Sequence, residues 1–96
     1  MSTLYSFETL SQAGIPLFLC TTGSHKPSVV DLRTAVCFSL VVVLHHPGIY
    51  VASLLNIDPS AVSRHLKRHY RLYLHDSDYT DVYDSCIARL KKAGLL

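Results

Sequence analysis

Charged residues are scarce in this sequence. Asp, Glu, Lys and Arg make up 17% of its 96 residues, against 49% apolar. That balance excludes a disordered chain, which stays unfolded through high charge and low hydrophobicity. Cysteine is scarce too. Cys20, Cys37 and Cys86 are odd in number and widely spaced, with no CxxC or CxxH pair, so neither a disulfide framework nor a zinc cluster is expected. All three sit among apolar residues and read as small buried side chains in a reducing compartment. No apolar run is long enough to span a bilayer: "AVCFSLVVVL" is ten residues and stops at His-His-Pro. The N-terminus lacks the basic-then-apolar pattern of a secretory signal. No GxxxxGK[ST] loop occurs, so no nucleotide is expected as cofactor. Internal repeats and low-complexity tracts are absent. The expectation is one small, soluble, cytoplasmic domain over residues 1–96. Such a chain can bury one core with little left for a catalytic cleft, and an enzyme is not expected.

What is present reads as helix. Residues 3–13 place Leu4, Phe7 and Leu10 on one helical face before Gly14. "GIPLFLC" fits one helical turn or an extended piece, and "TTGSHKP" is a loop. In residues 28–44, "SLVVVL" fits a buried strand by its valines. The length without a breaker and the Ser28–Asp31 capping-box pattern favour a helix, apolar nearly all round and therefore central. "HHPG" is a turn, and residues 48–55 form a short helix. Asp58 suits an N-cap, because its carboxylate can accept orphan backbone N–H groups, and Pro59 suits the first helical position. That helix is expected to run to about Leu74. A last helix is expected over 80–94, with Asp81 and Asp84 toward its positive end, Lys91 and Lys92 toward its negative end, and Gly94 closing it. The fold class expected is all-α, about five helices, with a helix-turn-helix around a long buried central helix.

Within this pattern the positive charge is concentrated. Arg64, Lys67, Arg68 and Arg71 are four of the nine Lys and Arg residues. At about 100° per residue, Val62, Leu66, His69 and Tyr73 face one way. Ser60, Arg64, Lys67 and Arg71 face the other, with Ser63 and Arg68 at the flanks. None of the four cations has an Asp or Glu three or four positions away, so intrahelical pairing is absent. A basic face behind a short helix and a tight turn points to double-stranded DNA. Ser60 and Arg64 near the N-terminal end would reach base edges, Lys67 and Arg71 phosphates, and Arg68 at the flank either of the two. His45 and His46, at the turn before the motif, are further candidates for phosphate. The same stripe also fits a merely solvated face. His65 and His69 lie one helical turn apart, a zinc-compatible spacing. HExxH is absent, however, and no carboxylate is placed between them, so no metal is expected. The six tyrosines, with Tyr70, Tyr73, Tyr79 and Tyr83 bunched, read as mostly core or half-buried, with one hydroxyl a candidate for phosphate.

These residues carry a resemblance. The chain resembles the C-terminal DNA-binding domain of the bacterial replication initiator DnaA. That family has a basic loop, a long helix opening with an Arg, and a helix-turn-helix with the signature Arg-Asp-His-Thr-Thr-Val. "SHKPSVVDLRTAVCFSL" sits at the place of the loop and long helix, with Arg33 at the family's Arg. "NIDPSAVSRHLKRH" sits at the place of the signature. Asp58 and Val62 match it, Ser60 stands for the first Thr, and Ile57, Pro59 and Ala61 replace Arg, His and the second Thr. Ile15 and Leu17 fall on apolar family positions upstream, so the resemblance spans nearly all of the chain. It implies that Asp58, Pro59 and Ser60 face bases in the major groove and that His25 and Lys26 serve as the loop that enters the minor groove, with Arg33 also on the DNA side. Pro59 cannot donate a hydrogen bond, which implies a sequence preference different from the family's box. The implied function is sequence-specific DNA binding in replication initiation control or transcription regulation, with other replication or transcription proteins as partners. The alternative is a protein-interaction module that kept the fold without DNA affinity.

Overall fold

Capping residues set where the helices begin. In the computed structural model, which describes residues 4–96, six α-helices form: α1 (Phe7–Gln12), α2 (Leu17–Cys20), α3 (Pro27–Phe38), α4 (Gly48–Leu55), α5 (Pro59–Leu72) and α6 (Ser77–Lys92). A π-helical segment, Ser39–Val43, extends α3. No strand occurs among the described residues, so the fold is all-α as expected.

Several boundaries differ from the sequence expectation, each for a local reason. The expected start of α1 at Thr3 lies outside the described residues. The helix itself begins at Phe7, because Ser6 is extended and its Oγ accepts the Thr9 N–H at 3.1 Å. "GIPLFLC" becomes the single turn α2. Ser28 does not cap α3. The helix starts one residue earlier at Pro27, where a missing N–H costs nothing, so Ser28 already lies inside the first turn. Asp31 turns instead to Arg68. The last helix starts at Ser77 and not at Thr80, because the Asp76 carboxylate accepts the Tyr79 N–H at 3.0 Å.

The valine run is helical, which overturns the strand alternative. It is also wider than an α-helix: Leu44 N–H bonds the Ser39 carbonyl five residues back at 3.0 Å, and His46 N–H bonds that of Leu40 at 2.8 Å. The Ser39 hydroxyl donates to the Ala35 carbonyl at 2.8 Å, a back-bond that often accompanies helix distortion. The central helix is buried from Arg33 to Leu40 and then emerges, with Val42 38% exposed.

α4 and α5 are joined by Asn56, Ile57 and Asp58. Asn56 takes the left-handed conformation at φ 55°, and Ile57 N–H reaches back to the Ala52 carbonyl at 3.0 Å, which closes α4 and turns the chain. α5 ends two residues short of the expected Leu74, which has φ 67°. Gly94, at φ 75°, closes α6 as expected, with Leu95 N–H bonded to the Leu90 carbonyl at 2.9 Å.

α3 is the centre, packed by α2, α5 and α6, and α4 packs on α2 and α5. Leu10, Leu17, Val36, Leu40, Val51, Leu55, Val62 and Leu90 form one buried cluster with the three cysteines. Each such aliphatic burial contributes about 1.5–3 kcal/mol. Burial pushes the thiols of Cys20 and Cys37 up to about 12 and that of Cys86 to about 11, so none is a reactive thiolate at neutral pH. Among the described residues no helix is long and apolar enough to cross a membrane.

Candidate nucleic-acid interface

The two stripes of α5 separate as their spacing dictates. Val62 and His69 are buried and Leu66 and Tyr73 half-buried, whereas Ser60, Ser63, Arg64, Lys67 and Arg71 are exposed. At the N-terminal end the Asp58 carboxylate accepts from the Ser60 hydroxyl at 2.7 Å and the Ser60 N–H at 2.9 Å. These bonds, first that from the hydroxyl, hold its pKa below the usual carboxylate value. Arg64 Nη1 lies 3.4 Å from the Ser60 Oγ, so Asp58, Ser60 and Arg64 form a short chain on the outer face. Pro59 is exposed beside them, and His25 and Lys26 are exposed just before α3.

Two expected contacts are not on that surface. Arg33 is 6% exposed. Its Nε donates to the Cys20 carbonyl at 2.9 Å and its Nη2 to the Ser24 carbonyl at 3.1 Å. The guanidinium therefore ties the 21–26 loop to α3 and has no access to a phosphate. His46 is 2% exposed. Its Nε2 accepts the Tyr5 N–H at 3.1 Å while its Nδ1 donates to the Leu44 carbonyl at 3.2 Å, which fixes a neutral tautomer. Burial lowers its pKa below that of a free histidine. The Tyr50 hydroxyl donates to the Tyr5 carbonyl at 2.7 Å, so His46 and Tyr50 together clasp the segment around Tyr5. His45 is exposed, at φ 58°.

Arg68 is partly withdrawn as well. Its Nη2 donates to Asp31 Oδ1 at 2.7 Å and its Nη1 to Thr34 Oγ1 at 3.0 Å. This is the one ion pair among the described residues. The Thr34 oxygen, accepting from Arg68, directs its own proton to His65 Nδ1 at 2.8 Å. Burial first, then the charges of Arg33, Arg68 and Arg64, pull the His65 pKa down to about 4, so the ring is neutral. The Asp31–Arg68–Thr34–His65 chain locks α5 to α3. Its members are up to 37 residues apart, so no helical-spacing rule could have found it. Arg64, Lys67 and Arg71 remain without a carboxylate partner among the described residues.

The paired histidines of α5 part company. His65 bonds Thr34, and His69 Nδ1 sits 2.6 Å from the Tyr79 hydroxyl. Among the described residues no three His, Cys, Asp or Glu side chains gather as a metal set. Tyr79 and Tyr83 are buried and Tyr73 is half-buried, whereas Tyr70 is 67% exposed. Two shallow depressions, of about 380 and 320 Å³, are lined from α1, α3 and α6 and include no residue of α5. No family model, curated protein or solved structure matches the chain.

Proposed function

We propose that the protein binds double-stranded DNA through the α4–turn–α5 unit, with α5 in the major groove. The observation that carries this reading is the outer face of α5. Among the described residues Arg64, Lys67 and Arg71 stand exposed without carboxylate partners, opposite the buried Val62 and His69 and behind a three-residue turn. A row of free cations on a rigid helix is what a polyanion with condensed counterions exploits. Ser60, Ser63 and Arg64, nearest the N-terminal end, are assigned to base edges, and Lys67 and Arg71 to phosphates. Lys26 and His25 are assigned to the flanking backbone or minor groove. The resemblance to the DnaA C-terminal domain supports a role in replication initiation control or transcription regulation, in the cytoplasm, beside other proteins of those processes. Pro59 supplies no donor and Arg33 is occupied inside, which supports a target sequence unlike the family's box. No catalytic role is proposed. Selection of bound sites from a random duplex library tests this reading. One enriched motif is expected, and no retention of duplex at low salt would contradict it.

A second reading has its own observation. Ile49, Tyr70 and Leu74 are large apolar side chains left 73%, 67% and 76% exposed. They favour a protein-interaction module, for which binding would be insensitive to salt and no duplex would be retained.

A further inference from the structure

Asp31 sits on α3 beside the basic face and belongs to no part of the motif. Its side chain is 16% exposed and that of Arg68, its partner, 24%. The geometry points to a role for Asp31 as an internal stand-in for phosphate, which holds Arg68 off the DNA and so limits affinity. The inference rests on the DNA-binding reading and identifies what regulates the strength of that same face.

Three observations carry it. First, the position of Arg68 on the helix places it next to Arg64 and Arg71, at the edge of the row of free cations. A released guanidinium there would extend the row. Second, Arg68 is held by two donors on two acceptors, 2.7 Å to Asp31 and 3.0 Å to Thr34. Planar guanidinium and carboxylate suit each other as guanidinium and phosphate do. Asp31 thus competes for the same donors that a phosphate would use. Third, exchange of partners has a cost on both sides. A phosphate that captured Arg68 would leave the largely buried Asp31 carboxylate unpaired next to polyanion, and would free the Thr34 hydroxyl that orients His65 at 2.8 Å. Arg68 accordingly stays on Asp31 when DNA binds, and its charge is cancelled.

A phosphate contact carries no sequence information. Asp31 therefore sets how many phosphates the face neutralises and leaves untouched which bases it prefers. The test is the salt dependence of duplex affinity for the wild type, Asp31→Asn and the double variant Asp31→Asn/Arg68→Gln, each on a selected site and on a scrambled one. Asp31→Asn frees Arg68. Its affinity should rise about five- to tenfold near 0.1 M salt on both duplexes alike, with a slope of log K on log salt steeper by about one unit. The double variant replaces the ion pair by a neutral pair of similar shape and should return to the wild-type slope. An unchanged slope in Asp31→Asn, or a double variant whose slope is shallower than wild type by about one unit, overturns the inference. The second result would show Arg68 already on phosphate in the wild type. Should Asp31→Asn alone not fold, the double variant still decides. Failure of the wild type to bind any duplex at low salt is a different outcome, which removes the DNA-binding reading and this inference with it.

Discussion

The Tyr79 hydroxyl sits 2.6 Å from His69 Nδ1 and joins α6 to the underside of α5. The His69 ring also stacks on Phe38 of α3, with centroids 3.5 Å apart, and lies nearly parallel to Tyr73, 5.1 Å away. Burial raises the pKa of Tyr79, which keeps its proton and donates it, and burial lowers that of His69, which stays neutral and accepts. One uncharged imidazole thus fixes the α5 helix against two neighbours. The exposed cations inherit their position from that anchor.

Neutral histidines make the fold acid-sensitive. His46, His65 and His69 all have pKa values lowered from 6.5, that of His65 to about 4. Between the folded and unfolded values the unfolded chain binds more protons than the folded one, so stability rises with pH in that window. The contribution is fully present above about pH 6.5 and is lost as pH falls through the lowered values, that of His65 near 4. Thermal melts followed by circular dichroism from pH 7.5 to 4 should show a falling Tm below pH 6.5. His65→Gln should make the fall shallower. A Tm that is flat down to pH 4.5 would contradict the buried neutral state.

Caps separate the helix starts that the chain uses from one that it does not. Asp76→Ala removes the acceptor for Tyr79 N–H at the start of α6 and should cost about 1 kcal/mol in urea unfolding. Ser28→Ala should change stability by less than about 0.5 kcal/mol, because Ser28 lies within α3 and caps nothing.

The core stripe of α5 has its own test. Val62 is 3% exposed in the buried cluster beneath the helix. Val62→Asp places a carboxylate there with no partner, and the domain should lose its cooperative melt. A folded variant with near-native Tm would mean that α5 is oriented differently.

Local chemistry was legible in the sequence and long-range chemistry was not. Asp58-Pro59 announced the start of α5, and the spacing of Val62, His69 and Tyr73 against Arg64, Lys67 and Arg71 fixed its two faces. Both signals act within a few turns of one helix. Ser28 and Asp31 misled, because Pro27 outcompeted the cap and Asp31 found Arg68 on another helix. Pro27 was itself a readable signal for the first helical position. The resemblance put Arg33 on the DNA side, and its place in the turn before the motif made His46 a candidate for phosphate. Their burial depends on the carbonyls of Cys20 and Ser24 and on the Tyr5 N–H, 41 residues from His46. Backbone partners of that kind leave no mark in side-chain spacing.

Reading and positioning should separate on α5. Arg64→Ala should cost roughly 1–3 kcal/mol on the preferred duplex and much less on a scrambled one, because a bidentate contact to a guanine edge discriminates. Lys67→Ala should weaken both duplexes alike and lower the salt slope by about one unit. Titration of both variants on both duplexes decides. Equal losses for Arg64→Ala on the two duplexes would make Arg64 one more phosphate contact.

The most direct measurement is the salt dependence of wild-type affinity for duplex DNA. Arg33 is occupied inside and Arg68 is paired, which leaves Lys26, Arg64, Lys67 and Arg71 as the exposed cations near the motif. With Arg64 on a base edge, Lys26, Lys67 and Arg71 neutralise about three phosphates, and log K should fall against log salt with a slope of about −2.5 to −3. A flat response, or no duplex bound even at low salt, would contradict the assignment of this face to DNA.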